Sequence, residues 1–360
     1  MIETPNTQIK YTTMSLRETV KEITAYAAKK SGNPKNVLEK LKVPLPTLLP
    51  RDLLVKNIAA SVNPVDYKVL SGDGSLFEKP KIAGYDAVGI VAEVGEKTSF
   101  YKVGDKVMYA GSILREGTYA EYTAVDERIV GKVPSKWTDA EIATLPLVGL
   151  TAYEGLFENL RVSKNTKENE GKSILIINGA GGVGSIAIQL AKWVGLTVAA
   201  TASRKETIEF CKNLGADYVI NHREELSKQT SEIETLKNGF DYVYHCSGDL
   251  GPYFDVIGQL LKPRGRLVSI VAAKDGGLVK LDGDYFRKRL EVSFELMFSK
   301  PIFGYDLESQ KEILDHLADL ADSGVLKSTM NKALKFEDII KANEEVLAGK
   351  AIGKISLSWE

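Results

Sequence analysis

The sequence predicts an α/β protein in two parts, a strand-rich first part and a doubly wound parallel sheet after it. Three observations predict this. From Ile23 to about Val130 the chain reads as short strands divided by turn signals, the pattern of an all-β barrel or sandwich. Beyond Ser173, short apolar runs alternate with helical segments, which implies right-handed βαβ units. At the first strand–helix junction of that half stands a glycine loop, Gly179-Ala180-Gly181-Gly182-Val183-Gly184. The 360 residues include 31 glycines; at ~100–200 residues per domain the length suits two domains.

In chain order, residues 1–20 read as a polar extension or a first strand. Strands follow at Leu53–Ala60, Ala87–Val94, Lys106–Ala110 and Tyr119–Val125. Asn63-Pro64, Gly72-Asp73-Gly74 and Gly104-Asp105 punctuate them. Thr138-Asp139-Ala140-Glu141 has the capping-box spacing and opens a helical stretch to Leu160, with Pro146 as a kink. A polar loop, Val162–Lys172, leads to strand Ser173–Asn178, helix Gly184–Gly195 and strand Leu196–Thr201. Helix Arg204–Leu214 and strand Tyr218–Asn221 come next, then strands Phe240–His245, Arg266–Val271 and Leu290–Met297. Asp306–Ser323 and Phe336–Ala348 are amphipathic helices, and Ile352–Ser358 is a final strand.

Composition narrows the function. Hydrophobic residues are 44% and charged residues 26%, ordinary for a soluble globular chain. Lys+Arg is 47 and Asp+Glu 48, a net charge of -1, which argues against general nucleic-acid or anionic-membrane binding while leaving room for a local basic pocket. Cys211, Cys246, His222, His245 and His316 are the whole complement of these two residue types. That excludes a disulfide framework, and a zinc site in the first half unless carboxylates build it alone. The N-terminus lacks a basic n-region and an apolar h-region. The most apolar long window, Ser173 to Val194, is interrupted by Asn178, glycines, Gln189 and Lys192, so it is no membrane span. The expected location is the cytoplasm.

The glycine loop carries the main chemistry. Gly179 permits a tight turn, Gly181 a close approach of backbone to a pyrophosphate, and Gly184 the packing of helix on strand. The amides at Gly182 and Val183 and the helix dipole then hold phosphate charge. The alternative is an ordinary tight turn, but the strand before, the helix after and the next strand all favour dinucleotide binding. The second strand chooses the cofactor. An NAD site places Asp or Glu near its end, whereas here Ala202 leads into Ser203-Arg204-Lys205. A hydroxyl and two cations suit the 2′-phosphate of NADPH; a solvated basic turn is the other reading. His222 and Ser247 fall at the carboxyl ends of the third and fourth strands, where the adenine half would lie.

Several motifs together resemble the medium-chain dehydrogenase/reductase superfamily, in its zinc-free quinone oxidoreductase (zeta-crystallin-like) group. They are Asn63-Pro64-Val65-Asp66-Tyr67-Lys68, Gly84-Tyr85-Asp86-Ala87-Val88-Gly89, Val103-Gly104-Asp105-Lys106-Val107 and Gly117-Thr118-Tyr119-Ala120-Glu121-Tyr122. Leu145 to Tyr153, the glycine loop, Leu214-Gly215-Ala216-Asp217, Asn221-His222-Arg223-Glu224 and Ile352-Gly353-Lys354-Ile355 complete the set in the family's order.

The resemblance implies a GroES-like β-barrel catalytic domain over residues 1–150, a Rossmann NADP-binding domain over 151–300, and a return to the catalytic domain over 301–360. In the zinc alcohol dehydrogenases the Gly-Tyr-Asp position reads Gly-His-Glu and its His binds zinc; here it is Tyr85, and the Cys-rich structural-zinc lobe has no counterpart. Hydrogen bonds or water must then polarise the substrate. Asn63 and Lys68 match positions facing the nicotinamide, and Asp66 matches an acidic position that orients its neighbours. Lys68 is either an enolate-stabilising ammonium or a solvated lysine; Tyr67 is either a proton donor or a packed aromatic. Thr151 matches the segment lining the nicotinamide and phosphates, Val271 a backbone contact to the carboxamide, and Lys354 a cofactor-binding position. Phe286, Phe294, Met297, Phe298 and Phe303 form an apolar substrate wall or a core and subunit interface, since the sixth strand, here Leu290 to Met297, pairs across a homodimer in relatives.

The expected activity is NADPH-dependent, zinc-independent hydride transfer to small molecules: quinones, α,β-unsaturated carbonyls or aldehydes. An enoyl-thioester reductase, a zinc alcohol dehydrogenase and a non-catalytic NADPH-binding protein are the competing readings.

Overall fold

The structure is a computed structural model that describes residues 16–274, 281 and 283–359. Most of the segment left open at the N-terminus, residues 1–15, lies outside them; Leu16–Thr19 is a helical turn. The strands are β1 (Glu22–Lys30), β2 (Leu38–Pro44), β3 (Asp52–Ser61), β4 (Leu76–Ile82), β5 (Ala87–Val94), β6 (Lys106–Tyr109), β7 (Tyr122–Asp126) and β8 (Val130–Lys132). After them come β9 (Ser173–Ile177), β10 (Thr197–Thr201), β11 (Tyr218–Ile220), β12 (Phe240–His245), β13 (Leu261–Ser269) and β14 (Glu291–Phe294), then β15 (Met330–Lys335) and β16 (Lys354–Ser358).

Strands β9 to β14 make a parallel sheet in the order β11-β10-β9-β12-β13-β14. The order reverses between β9 and β12, the switch point beside which an open α/β sheet binds its ligand. β9 is buried along its whole length and reads Ser-Ile-Leu-Ile-Ile, as a strand covered by helices on both faces must. The GroES-like part is a largely antiparallel sheet, β15-β16-β3-β5-β6-β8 with β7 on β3. The C-terminal strands β15 and β16 therefore join the sheet of the first part, β16 pairing antiparallel with β3. A separate small sheet, β2-β1-β4, flanks it.

Local chemistry accounts for the departures from the sequence reading. The first part is not all strand: Pro64–Leu70 is a helix, with Pro64 in its first turn and the Asn63 amide held by Asp66 Oδ2 at 2.7 Å. Pro146 does not kink a long helix. The capping box at Thr138 and Glu141 starts a short helix, Asp139–Ile142, and Pro146 opens a second one, Pro146–Tyr153, where its missing N–H costs nothing. This second helix continues as a π-helical turn, Glu154–Asn159. The dinucleotide helix spans Gly182–Trp193, two residues earlier at each end than expected, because Gly182 and Val183 already have helical backbone.

One apolar core runs through both parts. Tyr85, Val88 and Met108 of the barrel, Val148 and Leu156 of the linking helix, and Ile186 and Leu190 of the dinucleotide helix share it. Beneath this junction lies a buried charge cluster. Lys300 is 3% exposed and approaches Glu154 (3.4 Å) and Glu158 (2.8 Å). Glu295, just after β14, accepts from Asn159 Nδ2 at 2.6 Å and faces the Glu154 charge. Burial, then the adjacent Glu154 charge, pushes the Glu295 carboxyl up to about 10, so it carries a proton at neutral pH. Burial also raises Glu154, against the pull of Lys300. Gln310 ties Glu154 to the Met297 carbonyl and so anchors the segment leading to Phe298.

This arrangement makes opposite predictions for two substitutions. Glu295→Gln keeps a neutral group beside Glu154 and should change unfolding free energy by less than about 1 kcal/mol. Lys300→Met strands Glu154 and should cost about 3–5 kcal/mol in denaturant titration. Equal effects would show that Glu295 is not protonated.

Candidate active site and cofactor cleft

The glycine loop sits at the switch point. Asn178 takes a left-handed backbone (φ 66) and its Nδ2 donates to the Cys246 carbonyl across to the end of β12 at 3.1 Å. A Cβ at Gly184 would collide with the Asn178 carbonyl oxygen, so only glycine lets this helix sit against β9. A Cβ at Gly182 would come within 2.9 Å of Val148 Cγ1 and 3.0 Å of Lys354 Cδ. The cradle has room for backbone and none for side chains, with the amides of a twelve-residue helix at its mouth. That fits a dinucleotide pyrophosphate.

The parallel sheet gathers the other expected cofactor residues along one edge. Ser203, Arg204 and Lys205 follow β10, His222 follows β11, Ser247 follows β12 and Val271 follows β13. Arg204 and Lys205 form no ion pair with a described carboxylate; the Arg204 amide and carbonyl both bond Thr207 Oγ1 and open the next helix. Burial, then the Arg223 charge, holds the His222 imidazole below its usual value and keeps it neutral at pH 7. Ser269 Oγ donates to the Val271 carbonyl at 2.6 Å and meets His245 Nδ1 at 2.9 Å, which fixes the turn after β13. Thr151 is buried, with Oγ1 donating to the Leu147 carbonyl and its own carbonyl accepting from Tyr244, so its hydroxyl proton is already used.

Lys354 stands apart from that edge and joins it to the barrel. Its ammonium is fully buried and bonds the Val62 carbonyl (3.0 Å), Asn63 Oδ1 and Asp86 Oδ2 (3.2 Å). The Gly353 amide donates to the Ala180 carbonyl of the glycine loop at 2.9 Å. Asp86 collects the rest: Oδ2 accepts from Ser61 Oγ and Asn63 Nδ2, both at 2.7 Å, and Oδ1 from the Leu147 amide at 2.7 Å. Burial pulls Lys354 below its ordinary value, and Asp86 opposes that shift. Asp86 and Ser61 were not singled out from sequence. The available signal was an acidic residue inside the apolar run Ile82–Ile90, since a buried charge requires partners.

The Asn63–Lys68 segment lies beside this hub. Asp66 is buried, and its Oδ2 accepts from the Asn63 amide and from Tyr119 Oη, each at 2.7 Å. It thus positions Asn63, whose amide group bridges Asp86 and Lys354. Its Oδ1 has no partner, and burial pushes the carboxyl up to about 7. Tyr67 is half-buried and Lys68 is exposed. Burial raises the Tyr67 phenol, with the Asp66 charge adding to it. Desolvation lowers Lys68, and so does the charge of Lys274, which lies beyond β13 in the other part of the molecule. A cavity of about 330 Å³ opens next to Tyr85, walled by the barrel residues Tyr109 to Thr118 and by Pro301 and Leu307. Among the described residues, no group of three His, Cys, Asp or Glu side chains could hold a metal ion.

Asp66 leaves a proton-linkage signature. The folded state holds its proton up to about pH 7, while the unfolded chain releases it near 4. Between those values the folded protein carries the extra proton, so Asp66 makes stability fall as pH rises from about 4 to 7. Asp66→Asn should flatten that slope by about 1.4 kcal/mol per pH unit in denaturant titrations; an unchanged slope would mean that Asp66 is ionised throughout.

Comparisons with known proteins agree with this construction. Residues 49–135 match the alcohol dehydrogenase GroES-like domain and residues 182–317 the zinc-binding dehydrogenase domain. A zinc-type alcohol dehydrogenase-like protein of Staphylococcus aureus (strain COL) is 40% identical over 334 residues, 91% of this chain and 96% of that protein. The 2-methylene-furan-3-one reductase of Solanum lycopersicum is 33% identical, over 87% of this chain and 73% of its own. The quinone oxidoreductase structure from Coxiella burnetii superposes with a TM-score of 0.76 at 29% identity, covering 94% of this chain and 100% of that one. A mycobacterial protein solved with NADPH superposes with a TM-score of 0.79 at 27% identity, with the same coverage. No described helix is long and apolar enough to cross a membrane. With a glycine cradle, a parallel sheet and a GroES-like barrel closed by the C-terminal strands, the chain belongs to the medium-chain dehydrogenase/reductase superfamily, in its quinone oxidoreductase-like group, and is an oxidoreductase with a nicotinamide cofactor.

Proposed function

We propose that this protein uses NADPH to reduce quinones, α,β-unsaturated carbonyls or aldehydes without a catalytic zinc ion. The observation that carries the cofactor choice is the Ser203-Arg204-Lys205 turn, with two cations that no described carboxylate neutralises and no acidic residue for the ribose 2′-hydroxyl. The mycobacterial protein solved with NADPH supports the same cofactor, and the tomato 2-methylene-furan-3-one reductase supports the reductase activity. Tyr85 at the position of a zinc ligand, and the lack of a three-donor cluster among the described residues, support a metal-independent reaction. NADPH supplies the hydride.

The chain's own groups do the rest. The glycine-loop amides seat the pyrophosphate, while Arg204 and Lys205 meet the 2′-phosphate. Asp86 and Lys354 hold Asn63, and Asp66 fixes its backbone, so the Asn63–Lys68 segment is rigid where it borders the cleft. Lys68, lowered by desolvation and by Lys274, stands ready to stabilise negative charge on substrate oxygen. The domain limits at residues 150 and 300 belong to this reading. So does a homodimer through the edge of β14, which is the outer strand of its sheet and presents an exposed Phe294 beside exposed Leu296 and Phe303. A cytoplasmic location suits the two free cysteines.

The test is NADPH oxidation against a panel of quinones, enones, enoyl thioesters and aldehydes. Turnover with enones or quinones is expected; enoyl thioesters alone, or no turnover, would replace the reading. NADPH should bind at least tenfold more tightly than NADH. Arg204→Ala should cost NADPH about tenfold in affinity, roughly 1.4 kcal/mol, and leave NADH unchanged. Equal losses for both cofactors would remove the 2′-phosphate assignment.

A further inference from the structure

Tyr85 is 1% exposed, and its hydroxyl has no hydrogen-bond partner. An unpaired buried hydroxyl costs about 1–3 kcal/mol, and phenylalanine would fill the same space without that cost. Its neighbours around the cavity are satisfied. Tyr109 Oη donates to Asn57 Oδ1 at 2.6 Å, Thr118 Oγ1 to the Asp86 carbonyl at 2.9 Å, and Arg115 bonds Asp52 through two nitrogens. Tyr85 is therefore the phenol there that holds an unused donor. It stands at the seam of the two parts: Asp86 follows it in the chain, and Phe298, from the segment after β14, meets its ring edge-on at 5.4 Å. The cavity wall has apolar side chains in Ala110, Leu114, Pro301 and Leu307, and charged ones in Arg115, Glu116, Asp126 and Arg128.

We propose that this cavity takes the apolar body of an α,β-unsaturated carbonyl compound and that the Tyr85 hydroxyl donates a hydrogen bond to its carbonyl oxygen, as a further catalytic residue of the reduction. The proposal rests on the reductase reading above. Hydride adds to the β-carbon and forms a C–H bond; the alkene π pair moves toward the carbonyl carbon and the carbonyl π pair to oxygen, giving an enolate. Two electrons leave the nicotinamide and two reduce the alkene. Tyr85 shares its proton with the enolate oxygen and keeps it, and water protonates the α-carbon. Burial, reinforced by the charges of Asp66 and Glu116, holds the phenol well above its usual value, which suits a donor that stays protonated. Phe298 packs against the Tyr85 ring, and the hydroxyl is closed to water until the ligand enters.

The experiment compares wild type with Tyr85→Phe, using trans-2-hexenal and 2-cyclohexen-1-one with NADPH, and adds NADPH titration and thermal unfolding. Loss of one oxyanion donor should lower kcat/KM on the order of 100-fold. NADPH affinity should stay within about twofold, and Tm should be equal or higher because the variant removes an unpaired hydroxyl. A kcat/KM within about threefold of wild type would overturn the assignment. So would a Tm lower by about 5 °C or more, which would show a structural partner for the hydroxyl. If wild type itself reduces neither compound, the reductase reading fails and takes this assignment with it; wild-type turnover with an unaffected variant removes Tyr85 alone.

Discussion

The buried pair of Asp86 and Lys354 is the joint on which the site depends. Neither charge can be left alone in this interior, since an unpaired buried ion costs several kcal/mol. Asp86 therefore collects donors from β3, from Asn63, from the Pro146–Tyr153 helix and from β16. Lys354 lies against the glycine cradle, with its neighbour Gly353 bonded to Ala180. A single ion pair thus sets where the cofactor loop stands relative to the barrel segment that borders the substrate. The C-terminal tail returns across the molecule to supply the lysine, which gives the sheet order β15-β16-β3 a functional consequence.

A second layer of buried charge supports this joint from below. Lys300, Glu154 and a protonated Glu295 hold the segment from the outer strand β14 to Phe298. That segment meets Tyr85, so the wall of the cavity is fixed at both ends by polar groups rather than by packing alone. The proposed reaction asks for little beyond this frame: a positioned hydride donor and hydrogen bonds where charge develops on oxygen.

The parts of this architecture legible in the sequence are those built from local periodicity. β5 and β12 lie where alternation and apolar runs placed them, and the glycine loop declares its strand–turn–helix context within about twenty residues. Pro146 misled because a proline reads alike as a kink and as a first helical residue; the structure has the second. The helix at Pro64 was hidden among strand signals, although Asn63 and Asp66 are a capping pair. The hub was not legible for a different reason. Residues 61, 63, 86, 147 and 354 meet only after the chain has crossed both parts. A sequence shows that Asp86 is surrounded by apolar residues, but not which cation answers it. In the sequence Tyr85 shows only that a zinc ligand's position holds a tyrosine; its unsatisfied hydroxyl is a property of the packed interior.

The most direct test of this joint is a double-mutant cycle between Asp86→Asn and Lys354→Met, read in unfolding free energy and in NADPH affinity. A paired, buried joint predicts that the double variant is less damaged than the sum of the single ones, with a coupling of at least about 2 kcal/mol in stability. It also predicts that both single variants weaken NADPH, because the cradle loses its tie to the barrel. Effects additive to within about 0.5 kcal/mol, with NADPH affinity unchanged, would contradict it.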